Sequence, residues 1–213
     1  MDGYLGTSEA WEIAETALEN AAIKNKLTYK RVSGEAAFYG PKLDFMFKDA
    51  IGREWQLATI QCDFNLPERF DLAFTNEKGL KERPVVIHRA ISGSLERFMG
   101  VIIEHFAGNF PLWISPVQAK ILTISDRHND YAKKIFDLLK EKDIRVELDD
   151  NNESLGKKIR QVKTERIPYS LVVGDNEMNN NTVTLESRDK GKVGEVSLDE
   201  LCTMLSSEIS SKS

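Results

Sequence analysis

The sequence predicts an α+β protein of two domains, an antiparallel part over residues 1–112 and an α/β part with a mixed sheet over residues 113–213. Three observations carry this. Two alternating apolar runs, Leu43 to Phe47 and Trp55 to Ile60, flank a KDAIGR segment whose Gly52 suits a tight turn, so they predict an antiparallel hairpin. The stretch GNFPLWISP, Gly108 to Pro116, sets two prolines and a glycine between periodic segments and marks a domain edge near Trp113. Beyond it, strands and helices alternate as βαβαβ, the rhythm of a mixed or parallel sheet covered by helices.

In chain order, Ser8 or Thr7 suits an N-cap for a helix carrying Trp11, Ala14, Leu18, Ala21 and Ala22 on its apolar positions. Leu27 to Val32 reads as a short strand. Then comes the hairpin, and Asn76 and Gly79 make 75–81 a loop. Val85 to Ile87 reads as a strand. Ser94 opens a helix whose stripe is Leu95, Phe98, Met99, Ile102, Ile103 and Phe106. In the second domain, strands are expected at Lys120–Ile124, Ile144–Leu148, Tyr169–Val173 and Thr182–Leu185. Helices are expected at Asn129–Lys142 and Leu155–Arg166, the latter stopped at Ile167-Pro168. GDNE reads as a turn, and Ser197 with Glu200 forms a capping box for a last helix to about Ile209.

A chain of 213 residues, 41% apolar and 30% charged, is long enough for two cores and is neither disordered nor a coiled coil. Its formal charge of −5 gives no global argument for nucleic-acid binding, which a local basic patch would have to supply. Two isolated cysteines, Cys62 and Cys202, make no disulfide framework and fit a reducing, cytoplasmic setting. No apolar stretch approaches a membrane span, and no secretory leader is evident.

The general catalytic motifs are absent, so the polar residues embedded in strands become the candidates. Tyr39-Gly40-Pro41-Lys42 is either a solvated turn or a turn delivering a ring and an ammonium to a substrate. Gln56, Thr59 and Gln61 interrupt an apolar strand. Period two places Gln56 with Ala58, Ile60 and Cys62, and Thr59 and Gln61 with Trp55 and Leu57. They mark an edge strand or the floor beneath a polar ligand. His88 leaves a strand, and Arg97 lies one turn into the helix that Ser94 caps. Arg97 is placed to hold a phosphate, or to pair with Glu96 or Glu104. His88 alone is a hydrogen-bonded histidine or one ligand of a metal that needs others. His105 reads as helix surface and His128 as a loop or cap residue. Asn152, Lys157, Lys158, Arg160, Lys163 and Arg166 gather around one helix as a positive ridge, either a solvated face or a track for RNA, with Asn152 and Glu177 reading bases from loops.

Several long runs together resemble the C-terminal part of the threonyl-tRNA synthetases, a class II aminoacyl-tRNA synthetase family. They are GEAAFYGPKLDF, WQLATIQCDFNLPERFDL, PVVIHRAISGSLERFMGVIIEHFAG, FPLWISPVQ, DDNNESLGKKIR and IPYSLVVGDNE. The resemblance covers essentially the whole chain. It implies an antiparallel-sheet catalytic domain that makes threonyl-adenylate from threonine and ATP with Mg2+, then charges tRNA(Thr). It also implies a pocket zinc, a C-terminal anticodon-binding domain and a homodimeric parent. Carried over by position, Tyr39, Lys42 and Arg97 correspond to catalytic residues. Gln56, Thr59, Gln61 and Ser94 join them in binding substrate and ATP, His88 corresponds to a zinc ligand, and Asn152, Arg160 and Glu177 to anticodon-contacting residues.

The resemblance also implies that motifs 1 and 2 and the other zinc ligands precede Met1, so this chain alone is expected not to form the adenylate. Ala36 and Ala58 stand where the family has glycine, Ser92 where it has a hydrophobic residue, and Glu186 where it has an anticodon-contacting arginine. Two readings stay open: a part of an aminoacylating enzyme, or a non-catalytic paralogue that binds tRNA, another RNA or a partner.

Overall fold

Thr7 opens the first helix, its Oγ1 accepting from the Ala10 N–H at 3.1 Å, and α1 runs Ser8–Lys24. The structure is a computed structural model that describes residues 3–212, and it divides into two compact units between His105 and Phe106.

Leu27 to Val32 is not a strand. The segment is irregular and pairs with no strand, so its backbone joins no ladder. Side chains tie it back to α1 instead: Tyr29 donates to Glu19 at 2.5 Å and Arg31 pairs with Glu15. Next come β1 (Lys42–Lys48) and β2 (Glu54–Asp63), the expected hairpin. They are followed by α2 (Asn65–Arg69), the short pair β3 (Phe74–Thr75) and β4 (Lys81–Glu82), and β5 (Val86–Ala90). The strands β1, β2 and β5 form one antiparallel sheet in that order. The expected loop at 75–81 is the turn joining β3 to β4, where Asn76 Oδ1 accepts from the Lys78 and Leu80 N–H groups.

Only glycine fits at position 40. A Cβ there would meet the Cys62 carbonyl oxygen at 2.0 Å. That approach lets Phe64 N–H donate to Tyr39 O, and Cys62 N–H to Pro41 O, both at 3.0 Å, so the turn is stitched onto β2.

Ser94 precedes α3 (Leu95–Phe106), and its Oγ accepts from the Arg97 N–H at 3.3 Å. The helix is amphipathic as expected, yet none of its residues is buried among the described residues. Leu95, Met99 and Ile103 are exposed. Among the described residues, Trp11, Ala14, Ala22, Leu57 and Cys62 are buried in the first unit.

The second unit holds β6 (Ala119–Thr123), α4 (Asn129–Glu141), β7 (Val146–Asp149), α5 (Leu155–Glu165), β8 (Tyr169–Val173), α6 (Asp175–Asn180), β9 (Thr182–Ser187), β10 (Gly191–Ser197) and α7 (Leu198–Ser211). The sheet order is β10-β9-β8-β6-β7, with β6 parallel to β7 and β8 and the rest antiparallel, so it is mixed as predicted. Two elements go beyond the sequence reading. GDNE opens the short helix α6 rather than a plain turn, and the GKVG segment begins a fifth strand, β10.

The main core contains Ile121, Ile135, Leu139, Leu171, Leu185, Leu201 and Leu205, all at most 1% exposed. A second cluster of Leu122, Val162 and Ile167 seats α5. The linker residue Leu112 belongs to the main core. Ser197 and Glu200 make the expected capping box. His128 is a buried cap: its Nδ1 accepts from the Ser125 N–H, while Nε2 faces Asp175. Among the described residues no helix is long and apolar enough to cross a membrane.

Candidate functional site

In the first unit, one face of the β1-β2-β5 sheet is polar. The register sets Lys42 opposite Gln61, Asp44 opposite Thr59, and Gln61 opposite His88. A bulge between Phe45 and Met46 in this pairing leaves Leu57 unpaired and turns Gln56 onto the same face. There Gln56 Nε2 donates to Asp44 Oδ1 at 2.8 Å. Strict alternation had set Gln56 on the opposite face; the bulge is why it fails. Tyr39, Lys42, Gln56, Thr59, Gln61 and His88 therefore come together.

The contacts on this floor are specific. Tyr39 OH donates to Gln61 Oε1 at 2.9 Å, and its ring meets the His88 ring edge-on with centroids 6.2 Å apart. Lys42 Nζ is 2.5 Å from Asp44 Oδ2. Thr59 Oγ1 is buried and has no hydrogen-bond partner among the described residues.

Asp44 and Asp63 were missed as members of the site. Their signal was legible: Asp44 lies two residues from Lys42, and Asp63 two from Gln61. Asp63 is buried and receives His88 Nε2 at 2.7 Å and the Asn65 and Leu66 N–H groups. Burial alone would raise its carboxyl. The His88 hydrogen bond and the two backbone donors outweigh burial and hold it below the usual carboxylate range. An ionised carboxylate only accepts, so His88 carries its proton on Nε2.

Arg97 is exposed at the edge of this floor. Its Nη1 donates to Gln56 O at 3.3 Å, and its guanidinium lies 5.7 Å from the Trp55 ring centroid. It does not pair with Glu104, which binds Arg53 at 2.8 Å. The polar hydrogens of Arg97 are thus largely free to meet an anion. Among the described residues no group of three His, Cys, Asp or Glu side chains could hold a metal, so those residues do not by themselves fit a zinc ion.

In the second unit, Asn152 and Glu177 follow the carboxyl ends of β7 and β8, and Arg160 lies on α5 between them in sequence. Ligands favour this end of a sheet's parallel strands. Asn152 and Arg160 are exposed, and neither side chain has a partner among the described residues. Glu177 is already engaged: it accepts from the Gly174 N–H at 2.9 Å and from Thr184 Oγ1 at 2.7 Å.

The positive ridge is weaker than its sequence. Lys158 is 2% exposed and points inward, because it lies on the face of α5 that packs on the sheet. Lys157 pairs with Glu153, Lys163 with Glu186, and Arg166 donates to the Ala107 carbonyl. A trough of about 360 Å³ between α5 and β9 is lined by Lys163, Arg166, Arg188 and Glu186 over Ile159 and Val162.

Comparison with known proteins gives these two units their class. Residues 6–106 match the tRNA synthetase class II core domain of the G, H, P, S and T enzymes, and residues 114–208 match an anticodon-binding domain. The order of the two matches is core domain first, then anticodon-binding domain, as in a class II aminoacyl-tRNA synthetase.

The particular relatives are threonine–tRNA ligases. That of Caldanaerobacter subterraneus subsp. tengcongensis is 51% identical over 99% of this chain, and that of Sulfurihydrogenibium sp. 52% over 98%. A solved RNA-binding domain of threonyl-tRNA synthetase from Cryptosporidium parvum Iowa II superposes with a TM-score of 0.88 at 42% identity, over 97% of this chain and 52% of that one. A putative threonyl-tRNA synthetase of Aeropyrum pernix gives 0.74 at 30%, over 98% and 51%. The chain is similar to the C-terminal part of the threonyl-tRNA synthetases and spans about a third of the curated relatives' length.

Proposed function

We propose that this chain serves a threonine–tRNA ligase, with residues 1–112 contributing part of the catalytic domain and residues 113–213 binding the anticodon of tRNA(Thr). The observation that carries this reading is the gathering of Tyr39, Lys42, Gln56, Thr59, Gln61 and Arg97 around a buried, unpartnered hydroxyl.

In the proposed reaction the threonine carboxylate attacks the α-phosphorus of ATP and expels pyrophosphate. A terminal ribose hydroxyl of the tRNA then attacks the threonyl carbonyl and expels AMP. Arg97 holds phosphate oxygens, whose charge it is free to meet; Mg2+, when bound, would supply the remaining neutralisation. Lys42, now held by Asp44, turns to the adenylate. Gln56 and Thr59 lie on the adenosine side. Tyr39 orients Gln61 against threonine, with Ser94 beside Arg97. His88 is the one zinc-ligand position this chain carries, so no step is routed through that metal. Asn152, Arg160 and Glu177 read the anticodon. The whole enzyme acts as a cytoplasmic homodimer.

The second reading, a non-catalytic paralogue that binds tRNA, another RNA or a partner, is favoured by the pairing of Lys163 with Glu186, which takes a cation from the ridge an anticodon reader would use. Threonine-dependent pyrophosphate exchange separates the two. This chain alone is expected to be silent. Joined to the preceding two-thirds of a relative it is expected to exchange, and silence there, with tRNA still bound, favours the second reading.

A further inference from the structure

Lys158 is a fully buried ammonium that the proposed reaction does not use. It sits in the first turns of α5, where the helix dipole opposes a positive charge, and burial removes its water. A methionine would fill the same space without either penalty. The ammonium must therefore be set against what its hydrogen bonds do.

All three of its N–H groups are spent on one place. Nζ donates to Thr123 O at 3.0 Å, to Asp149 O at 2.9 Å and to Thr123 Oγ1 at 3.3 Å. Thr123 and Asp149 are the last residues of the neighbouring parallel strands β6 and β7, so one side chain ties two strand ends to one helix. The countercharge is Asp149 Oδ1, 3.7 Å away. The same oxygen accepts from Asn151 N at 3.3 Å and Asn151 Nδ2 at 3.1 Å, which shapes the loop leading into Asn152. Arg160 follows Lys158 by two residues, about 200° round the helix, and so faces solvent.

We infer that Lys158 is a positioning residue for RNA recognition, fixing the separation of Asn152 and Arg160 through its bonds to Thr123 and Asp149. The inference rests on the anticodon reading of this unit. Asn152 and Arg160 have no partners of their own to hold them. Their geometry is inherited from the loop after β7 and from the start of α5, and Lys158 is the group that joins those two.

The test uses the full chain and two RNAs: the anticodon stem-loop of tRNA(Thr), and the same stem-loop with two anticodon bases replaced. Lys158→Met is compared with the unaltered chain by dissociation constant, thermal unfolding and amide hydrogen exchange. The variant is expected to lose about tenfold of the preference for the matched loop, the scale of one base contact. Its affinity for the altered loop should be unchanged, and exchange at Asn151 to Glu153 should quicken. Thr123→Val, which removes one acceptor of three, is expected to move the preference the same way by less, and it serves if Lys158→Met does not fold. A purely structural role lowers the melting temperature and leaves the preference intact, and that result overturns the inference. Equal binding of both loops by the unaltered chain overturns the anticodon reading itself, and this role with it.

Discussion

Lys163 Nζ lies 3.1 Å from Glu186 Oε1, so a strand residue neutralises a cation of the ridge that RNA would meet. The family resemblance places an arginine at position 186. Reversing this one charge should therefore act twice, by adding a cation and by releasing Lys163.

Glu186→Arg is expected to raise affinity for the tRNA(Thr) stem-loop about tenfold at low salt, and to steepen the log–log salt dependence by about one to two units. Titration at several salt concentrations checks this. An unchanged slope would show that neither side chain approaches the phosphates.

Thr59→Val should separate folding from function. Removing a buried, unpartnered hydroxyl is expected to stabilise the first unit by about 1 kcal/mol in chemical denaturation. In the joined, full-length enzyme the same change should lower threonine-dependent pyrophosphate exchange. Loss of stability instead would show that the hydroxyl already has a partner.

Gly40→Ala should be among the most damaging small substitutions. Its Cβ would press on the Cys62 carbonyl carbon and oxygen, and backbone offers little give. A cost of about 3 kcal/mol or more is expected, read from the denaturation midpoint of the first unit.

Asp49 gives a pH test. Burial raises its carboxyl, but Trp55 Nε1, Arg53 and the Arg53 and Ile51 N–H groups together lower it to about 2. The folded value lies below the unfolded one. The stabilisation is therefore present above the ordinary carboxylate pKa of about 4 and is lost as pH falls toward 2. Asp49→Asn should melt earlier than the parent at pH 7, with the gap closing toward pH 2 in a series of thermal melts.

Periodicity made most of the fold legible. The β1–β2 hairpin, the helices α3, α4, α5 and α7 and the strands β6 to β9 follow from local pattern and capping alone. The failures were of pairing. Leu27 to Val32 has strand composition but no neighbour, and Gly191 to Ser197 lacks strong apolar alternation yet is held by β9. In the site, the resemblance supplied residue positions but not contacts. The bulge that turns Gln56 toward Asp44, and the inward aim of Lys158 beside an outward Arg160, arise from backbone register and packing that one-residue reading does not see.

The two cores are unequal: among the described residues, the buried Trp11, Ala14, Ala22, Leu57 and Cys62 of the first unit stand against the extensive cluster around Ile121, Leu171 and Leu205 in the second. Cooperativity follows buried area, so heating should produce two transitions rather than one, the first unit giving way while the second stays native. Calorimetry on this chain would then report no single melting temperature, and hydrogen exchange would show the strands β1, β2 and β5 open long before the five-stranded sheet.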